Sequence, residues 1–239
     1  STVKPLLALL GLEEEIITPE TKIWDPGWYQ LPNVKRKPRD WKRSGHGHVD
    51  LTMAIEQSCD TYFYDLAYKT GIDRISDMMY KFGFGEKTGI DIFEEKDASM
   101  PSRGWKRARH NQPWYIGDTI NVGIGQGYWT VTPLQLAQAT SILVNRGEIK
   151  QPHLLKATAE ARDSINTMPE FSDLLYDEKP PVQLKNPDNW KYVLDAMHAT
   201  VQKKGAGANP AFKGSHYDAA GKTGTAQLVS IAEDKKYDA

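Results

Sequence analysis

Ser1-Thr2-Val3-Lys4-Pro5-Leu6-Leu7-Ala8-Leu9-Leu10 places a hydroxyl, an amine and a proline ahead of an apolar run. Residues three apart share a helix face, so the Lys4 amine can come within reach of the Ser1 hydroxyl. Pro5 suits a first helical turn, where its missing N–H costs little. Ser1 is then expected at a helix N-terminus, where unpaired N–H groups and the helix dipole favour developing negative charge. A serine hydroxyl is a weak nucleophile until a base removes its proton, and Lys4 can be that base only when neutral. Alone, the tetrad also fits a capped helix carrying a solvated lysine.

Two further segments change that balance. Ser58-Cys59-Asp60 offers a second hydroxyl and a polar side chain between two helix-like stretches. Lys222-Thr223-Gly224-Thr225 offers a cation, two hydroxyls and a glycine, leading into the strand-like run Ala226-Gln227-Leu228-Val229. The order S-x-x-K, S-x-N, K-T-G is the grammar of serine acyl-transfer sites that act on β-lactams. A second triplet, Lys87-Thr88-Gly89, follows the turn-rich Phe82-Gly83-Phe84-Gly85. It lacks the small flanking residues that let a ligand backbone approach a strand, and it reads as a turn. Ala219-Ala220-Gly221 and Thr225-Ala226 supply such flanks to Lys222.

The 239 residues are 39% hydrophobic and 10% aromatic, with a formal net charge of −1. This suits one globular domain with a sizeable core and argues against wholesale nucleic-acid binding. Two basic clusters, Lys35 to Arg43 and Arg103 to Arg109, contain Trp41 and Trp105. That mix is compatible with anionic partners, although a solvated surface with local ion pairs is the simpler reading. No apolar run reaches membrane-spanning length.

Periodicity and caps predict helices over Thr2 to Glu15, Leu51 to Gln57, Thr61 to Tyr68, Ile75 to Phe82, Thr132 to Asn145 and Asn186 to Gly205. Thr18 to Gly47 reads as loop with short strands. Glu94 to Gly117 reads as irregular, Gln151 to Asn186 as a surface excursion, and Gly205 to Gly214 as a loop before the Lys222 strand. Helices come first and the clearest strand last, so the class is α+β. Cys59 is the only cysteine, so no internal disulfide can form. It reads first as a buried structural thiol. Asp25, Asp40 and His46 lie upstream in Gly/Pro-rich segments that can fold back onto it, and one thiolate, one imidazole and two carboxylates suit a four-coordinate zinc ion.

The whole chain resembles the transpeptidase domain of class B penicillin-binding proteins, most closely the elongation-specific penicillin-binding protein 2 branch of Gram-negative bacteria. Besides the three motifs, the likeness rests on Asp25-Pro26-Gly27-Trp28, Gly45-His46-Gly47, Gly123-Ile124-Gly125-Gln126-Gly127-Tyr128 and Thr130 to Gln135. Asp60, where division-specific relatives usually carry Asn, favours the elongation branch. The resemblance implies a penicillin-binding-protein/β-lactamase-like fold, with helices packed on an antiparallel sheet that residues 1–239 contain only in part. The strands before Ser1, those after Lys222 and the terminal helix lie outside it.

It further implies an enzyme anchored by a single N-terminal segment at the periplasmic face of the inner membrane, which cross-links peptidoglycan stem peptides and is acylated by β-lactams. Its implied partners are a SEDS-type glycosyltransferase and other proteins of the elongation complex, without nucleic acid. Ser1 would be the nucleophile, and the Ser1 and Thr225 N–H groups the oxyanion hole. Lys222, Thr223, Gly224 and Thr225 would hold the substrate carboxylate, with Ser58 as proton relay. Asp25, Asp40, His46 and Cys59 would hold a structural zinc. Asp60 poses a choice: either it points away from Lys4, or Lys4 begins charged and its proton leaves through Ser58. A serine β-lactamase and a non-catalytic β-lactam sensor are the competing readings.

Overall fold

The computed structural model describes residues 1–154 and 179–225. The leucine-rich run forms α1 (Lys4–Glu13), with Pro5 in its first turn and all ten residues buried. The Lys4 N–H reaches the Ser1 carbonyl at 3.2 Å, which keeps these residues one turn apart as their spacing predicts. A helix that is apolar on every side belongs at the centre of a domain. Packed around α1 are α2 (Leu51–Glu56), α3 (Asp60–Thr70), α4 (Ile72–Lys81) and, from far downstream, α8 (Asp188–Gln202). The single acid of α1, Glu13, is buried but accepts from the Lys185 backbone at 2.5 Å and the Asn189 amide at 3.2 Å.

Local chemistry explains the boundaries. Asp50 caps α2 through the Met53 N–H, and the Cys59 sulfur caps α3 through the Tyr62 N–H. Gly71, with φ of +80°, ends α3 and α4 starts at once, three residues before the predicted Ile75. Thr132 and Gln135 cap one another reciprocally at the start of α7 (Pro133–Val144), as the threonine-proline signal predicts.

Two stretches depart from expectation. The irregular reading of Glu94 to Gly117 gives way to α5 (Arg103–His110) and the start of α6 (Ile116–Gly123). Apolar periodicity missed α5 because its one buried residue is Lys106. Similarly, the Gly205 to Gly214 loop contains a short helix, α9 (Asn209–Phe212).

Among the described residues the sheet is small. β1 (Ile23–Asp25) and β2 (Gly47–Val49) pair antiparallel, with Asp25 opposite Gly47. The predicted strand run Ala226 to Val229, and residues 155–178 of the predicted surface excursion, lie outside the described residues.

α6 lies flat on α3 at Gly123, where an added Cβ would sit 2.4 Å from the Ala67 Cβ and 2.8 Å from the Phe63 carbonyl oxygen. Backbone cannot yield at those distances without separating the helices. Gly123→Ala is therefore expected to cost about 1–3 kcal/mol as overpacking, visible as a melting temperature lowered by several degrees in calorimetry of the full-length protein. An unchanged melt would contradict this packing.

Candidate active site

Three distant segments converge beside the N-terminus of α1. The first carries Ser1, half-buried, and Lys4, with a side chain that is 0% exposed. A buried ammonium must be paired and hydrogen-bonded or it becomes very costly. Lys4 Nζ meets that demand with three acceptors from one short segment: the Ser58 carbonyl at 2.8 Å, the Ser58 hydroxyl at 3.3 Å and Asp60 Oδ1 at 2.6 Å. Three N–H donors for three oxygens is the full complement of a charged lysine. Of the two alternatives for Asp60, the one in which it points away is therefore excluded.

The second segment owes its shape to the α2–α3 junction. Ser58 takes a left-handed backbone, φ +54°, after α2, while the Cys59 N–H reaches back to the Ala54 carbonyl at 3.0 Å. This is the usual geometry for ending a helix, here with a serine where glycine is commoner. The strain it carries is typical of functional sites, and it turns both the carbonyl and the hydroxyl of Ser58 onto Lys4. Asp60 is fixed from the other side by the Trp41 N–H, which meets its Oδ2 at 3.2 Å. The Trp41 indole N–H also holds the Gln57 carbonyl at 3.1 Å. Sequence reasoning missed Trp41; its only signal was its place next to Asp40.

The third segment, Lys222 to Thr225, passes against the first. An added Cβ on Gly224 would lie 2.4 Å from Thr2 Cγ2 and 3.3 Å from the Thr2 nitrogen, so only a glycine permits this approach. The Gly221 N–H bonds to the Met197 carbonyl at 3.0 Å, which ties the segment to α8. Lys222 Nζ donates to the Thr223 carbonyl at 2.9 Å and its hydroxyl at 3.2 Å. Burial, and then repulsion from the Lys4 cation, pushes the Lys222 amine down to about 7, with Asp60 opposing. Thr225 is exposed. Gly125 completes the surround, its Cβ direction ending 3.2 Å from the Ser1 nitrogen. The rejected triplet behaves as a turn: Thr88 N–H, Thr88 O–H and Gly89 N–H all bind the Glu95 carboxylate, at 2.7, 2.6 and 3.0 Å.

Directly behind Ser58 and Asp60 lies a second cluster. One donor atom each from Asp25, Asp40, His46 and Cys59 lies within 4.8 Å of the others, and all four residues are buried. His46 Nδ1 to Asp40 Oδ1 and Cys59 Sγ to Asp25 Oδ2 are both 3.5 Å. Ligands about 2.0–2.3 Å from a tetrahedral zinc lie roughly 3.3–3.8 Å apart, so the donor set fits in chemistry and these two spacings fit as well. The closer contact of His46 Nδ1 with Asp25 Oδ2, 2.7 Å, is a hydrogen bond. No lysine or arginine among the described residues pairs with either carboxylate. Burial, and then the Asp40 carboxylate, pushes the Cys59 thiol up, so a bound cation is what would make it a thiolate. The cluster also holds the start of α3: Asp40 Oδ2 accepts the Asp60 and Thr61 N–H groups at 2.6 and 3.1 Å.

Comparison with known proteins agrees with this geometry. A family profile described as the penicillin binding protein transpeptidase domain matches residues 1–239. The peptidoglycan D,D-transpeptidase MrdA of Haemophilus influenzae is 48% identical over 238 residues, which cover 99% of this chain and 35% of that protein. The chain thus spans about a third of that relative's length. The crystal structure of Pseudomonas aeruginosa PBP2 in complex with WCK 5153 superimposes with a TM-score of 0.85 at 45% identity, covering 95% of this chain and 48% of that one. PBP2 in its complex with MreC from Helicobacter pylori gives a TM-score of 0.80 at 32% identity, covering 95% and 39%. A fold shared with those structures and a profile match along its whole length establish that this chain belongs to the penicillin binding protein transpeptidase domain family.

Proposed function

We propose that this chain carries the catalytic site of an elongation-type peptidoglycan D,D-transpeptidase, with Ser1 as nucleophile. The observation that carries the reading is the buried Lys4, which joins the first motif to Ser58 and Asp60 of the second. Acylation moves one proton, from the Ser1 hydroxyl to the amine that leaves. Ser58 gives its proton to that leaving nitrogen while taking one from Lys4, and the freed Lys4 lone pair takes the proton of Ser1. Lys4 ends as it began, charged, which is the state Asp60 favours at 2.6 Å. The Ser1 and Thr225 N–H groups stabilise the oxyanion as it develops, while Lys222, Thr223, Gly224 and Thr225 receive the terminal carboxylate of the peptide. A second amine then attacks the ester and completes the cross-link.

Acyl transfer itself needs no cofactor. Asp25, Asp40, His46 and Cys59 would hold a zinc ion that offsets their buried negative charge, a structural role because four protein ligands leave no open position. The family likeness also supports a membrane-anchored enzyme facing the periplasm, acting on stem peptides, blocked by β-lactams and partnered by a glycan-polymerising glycosyltransferase. The Helicobacter pylori PBP2–MreC complex supports a further protein partner from the elongation complex. No helix among the described residues is long and apolar enough to cross a membrane.

Mass spectrometry of the full-length protein treated with penicillin is expected to find one covalent adduct on Ser1. Ser1→Ala should abolish it, and Ser58→Ala should slow acylation at least 100-fold. An adduct elsewhere, or full-rate labelling of the Ser1→Ala variant, would overturn the assignment.

Lys222 yields a pH prediction. Its amine sits near 7 without ligand, so the cation that receives a carboxylate is present below that pH and is lost above it. The second-order acylation rate should fall about tenfold per unit above pH 7, and Lys222→Arg, charged throughout, should flatten that limb. A rate rising through pH 7 and unaltered by the arginine would show that Lys222 acts as a base instead.

For the metal, elemental analysis should find near-stoichiometric zinc. Cys59→Ser should lose it together with several degrees of melting temperature. Metal-free protein with an unchanged melt removes the proposal.

A further inference from the structure

The catalytic machinery leaves α5 without a role, and α5 is unusual. Of its eight residues only Lys106 is buried, so the helix is not held by an apolar stripe. Lys106 Nζ pairs with Asp118 at 2.5 Å and lies 4.6, 5.2 and 5.8 Å from the ring centres of Tyr115, Tyr128 and Trp114. Trp105, His110 and Tyr128 stack mutually, with ring centres 5.0–5.6 Å apart. Outside this anchor the surface is basic and aromatic. Arg107, Arg109 and His110 are exposed, and Tyr115 is 57% exposed. Arg103 is paired with Asp73, whereas Arg107 and Arg109 have no ion-pair partner among the described residues.

A short loop links this face to Ser1. Gly125 abuts Ser1, Tyr128 follows three residues later, within about 11 Å along the chain, and its ring touches both Lys106 and Trp105. A peptide of four or five extended residues spans roughly 13–18 Å, longer than the Gly125–Tyr128 stretch. Aromatic faces with a polar tip suit sugar rings, and unpaired guanidinium groups suit carboxylates.

We infer that α5, with Tyr115 and Tyr128, is a binding subsite for the anionic glycan–peptide strand whose reacting amide lies at Ser1. The inference rests on the transpeptidase reading and names where the rest of that substrate is held. Charge complementarity and the short chain link to Ser1 favour this occupant over a membrane surface.

The test uses full-length protein and its Arg107→Glu/Arg109→Glu variant, with the milder Arg107→Gln/Arg109→Gln variant guarding against misfolding. The probes are fluorescent uncross-linked peptidoglycan strands bearing peptides, the same strands stripped of peptides, and phosphatidylglycerol vesicles. The subsite predicts that charge reversal weakens binding of peptide-bearing strands at least tenfold and lowers their cross-linking at least tenfold relative to penicillin acylation. Stripped strands should bind the unaltered protein more weakly. Equal strand binding by the unaltered protein and both variants would overturn the subsite. So would binding to vesicles, but not strands, that charge reversal removes. If the unaltered protein took no penicillin adduct, the transpeptidase reading would fail, while the strand-binding measurement would still report on α5.

Discussion

The ammonium of Lys4, buried with no water contact and held by three oxygens from Ser58 and Asp60, is the constraint on which the rest of the structure depends. An unpaired charge at that depth would be intolerable, so residues 58–60 must stay in place for α1 to remain buried. The same contact joins two of the three motifs. The burial of α1 and the geometry of the candidate site rest on one set of atoms.

That arrangement is reinforced from behind. The loop between β1 and β2 brings Asp40 and Trp41 to the start of α3, where Asp40 accepts the Asp60 N–H and the Trp41 N–H grips the Asp60 carboxylate. Asp25, His46 and Cys59 pack beneath it. A metal ion in that cluster would offset its carboxylate charge and so stiffen residues 58–60 from behind. The loop looks shapeless in sequence because its order comes from side-chain oxygens gripping backbone N–H groups, which leave no periodic trace.

Legibility followed physical cause. α1 and α7 were readable because leucine runs, Thr132 and two well-placed prolines act locally. The three motifs were readable because each sets particular groups at a fixed spacing along the chain. α5 was not, since its anchor is a lysine enclosed by aromatic rings instead of an apolar stripe. The orientation of Asp60 was also hidden. Two orientations satisfied the sequence equally, and the choice was made by Trp41 and Asp40, some twenty residues upstream. The spacing of Asp25, Asp40, His46 and Cys59 carried little information by itself; only folding brought their donor atoms within 4.8 Å.

Ser58, Cys59 and Asp60 are consecutive, yet the outer two face Lys4 and the middle one faces the donor cluster. Such a rivet lets neither region slide past the other, so this side of the cleft moves as one block.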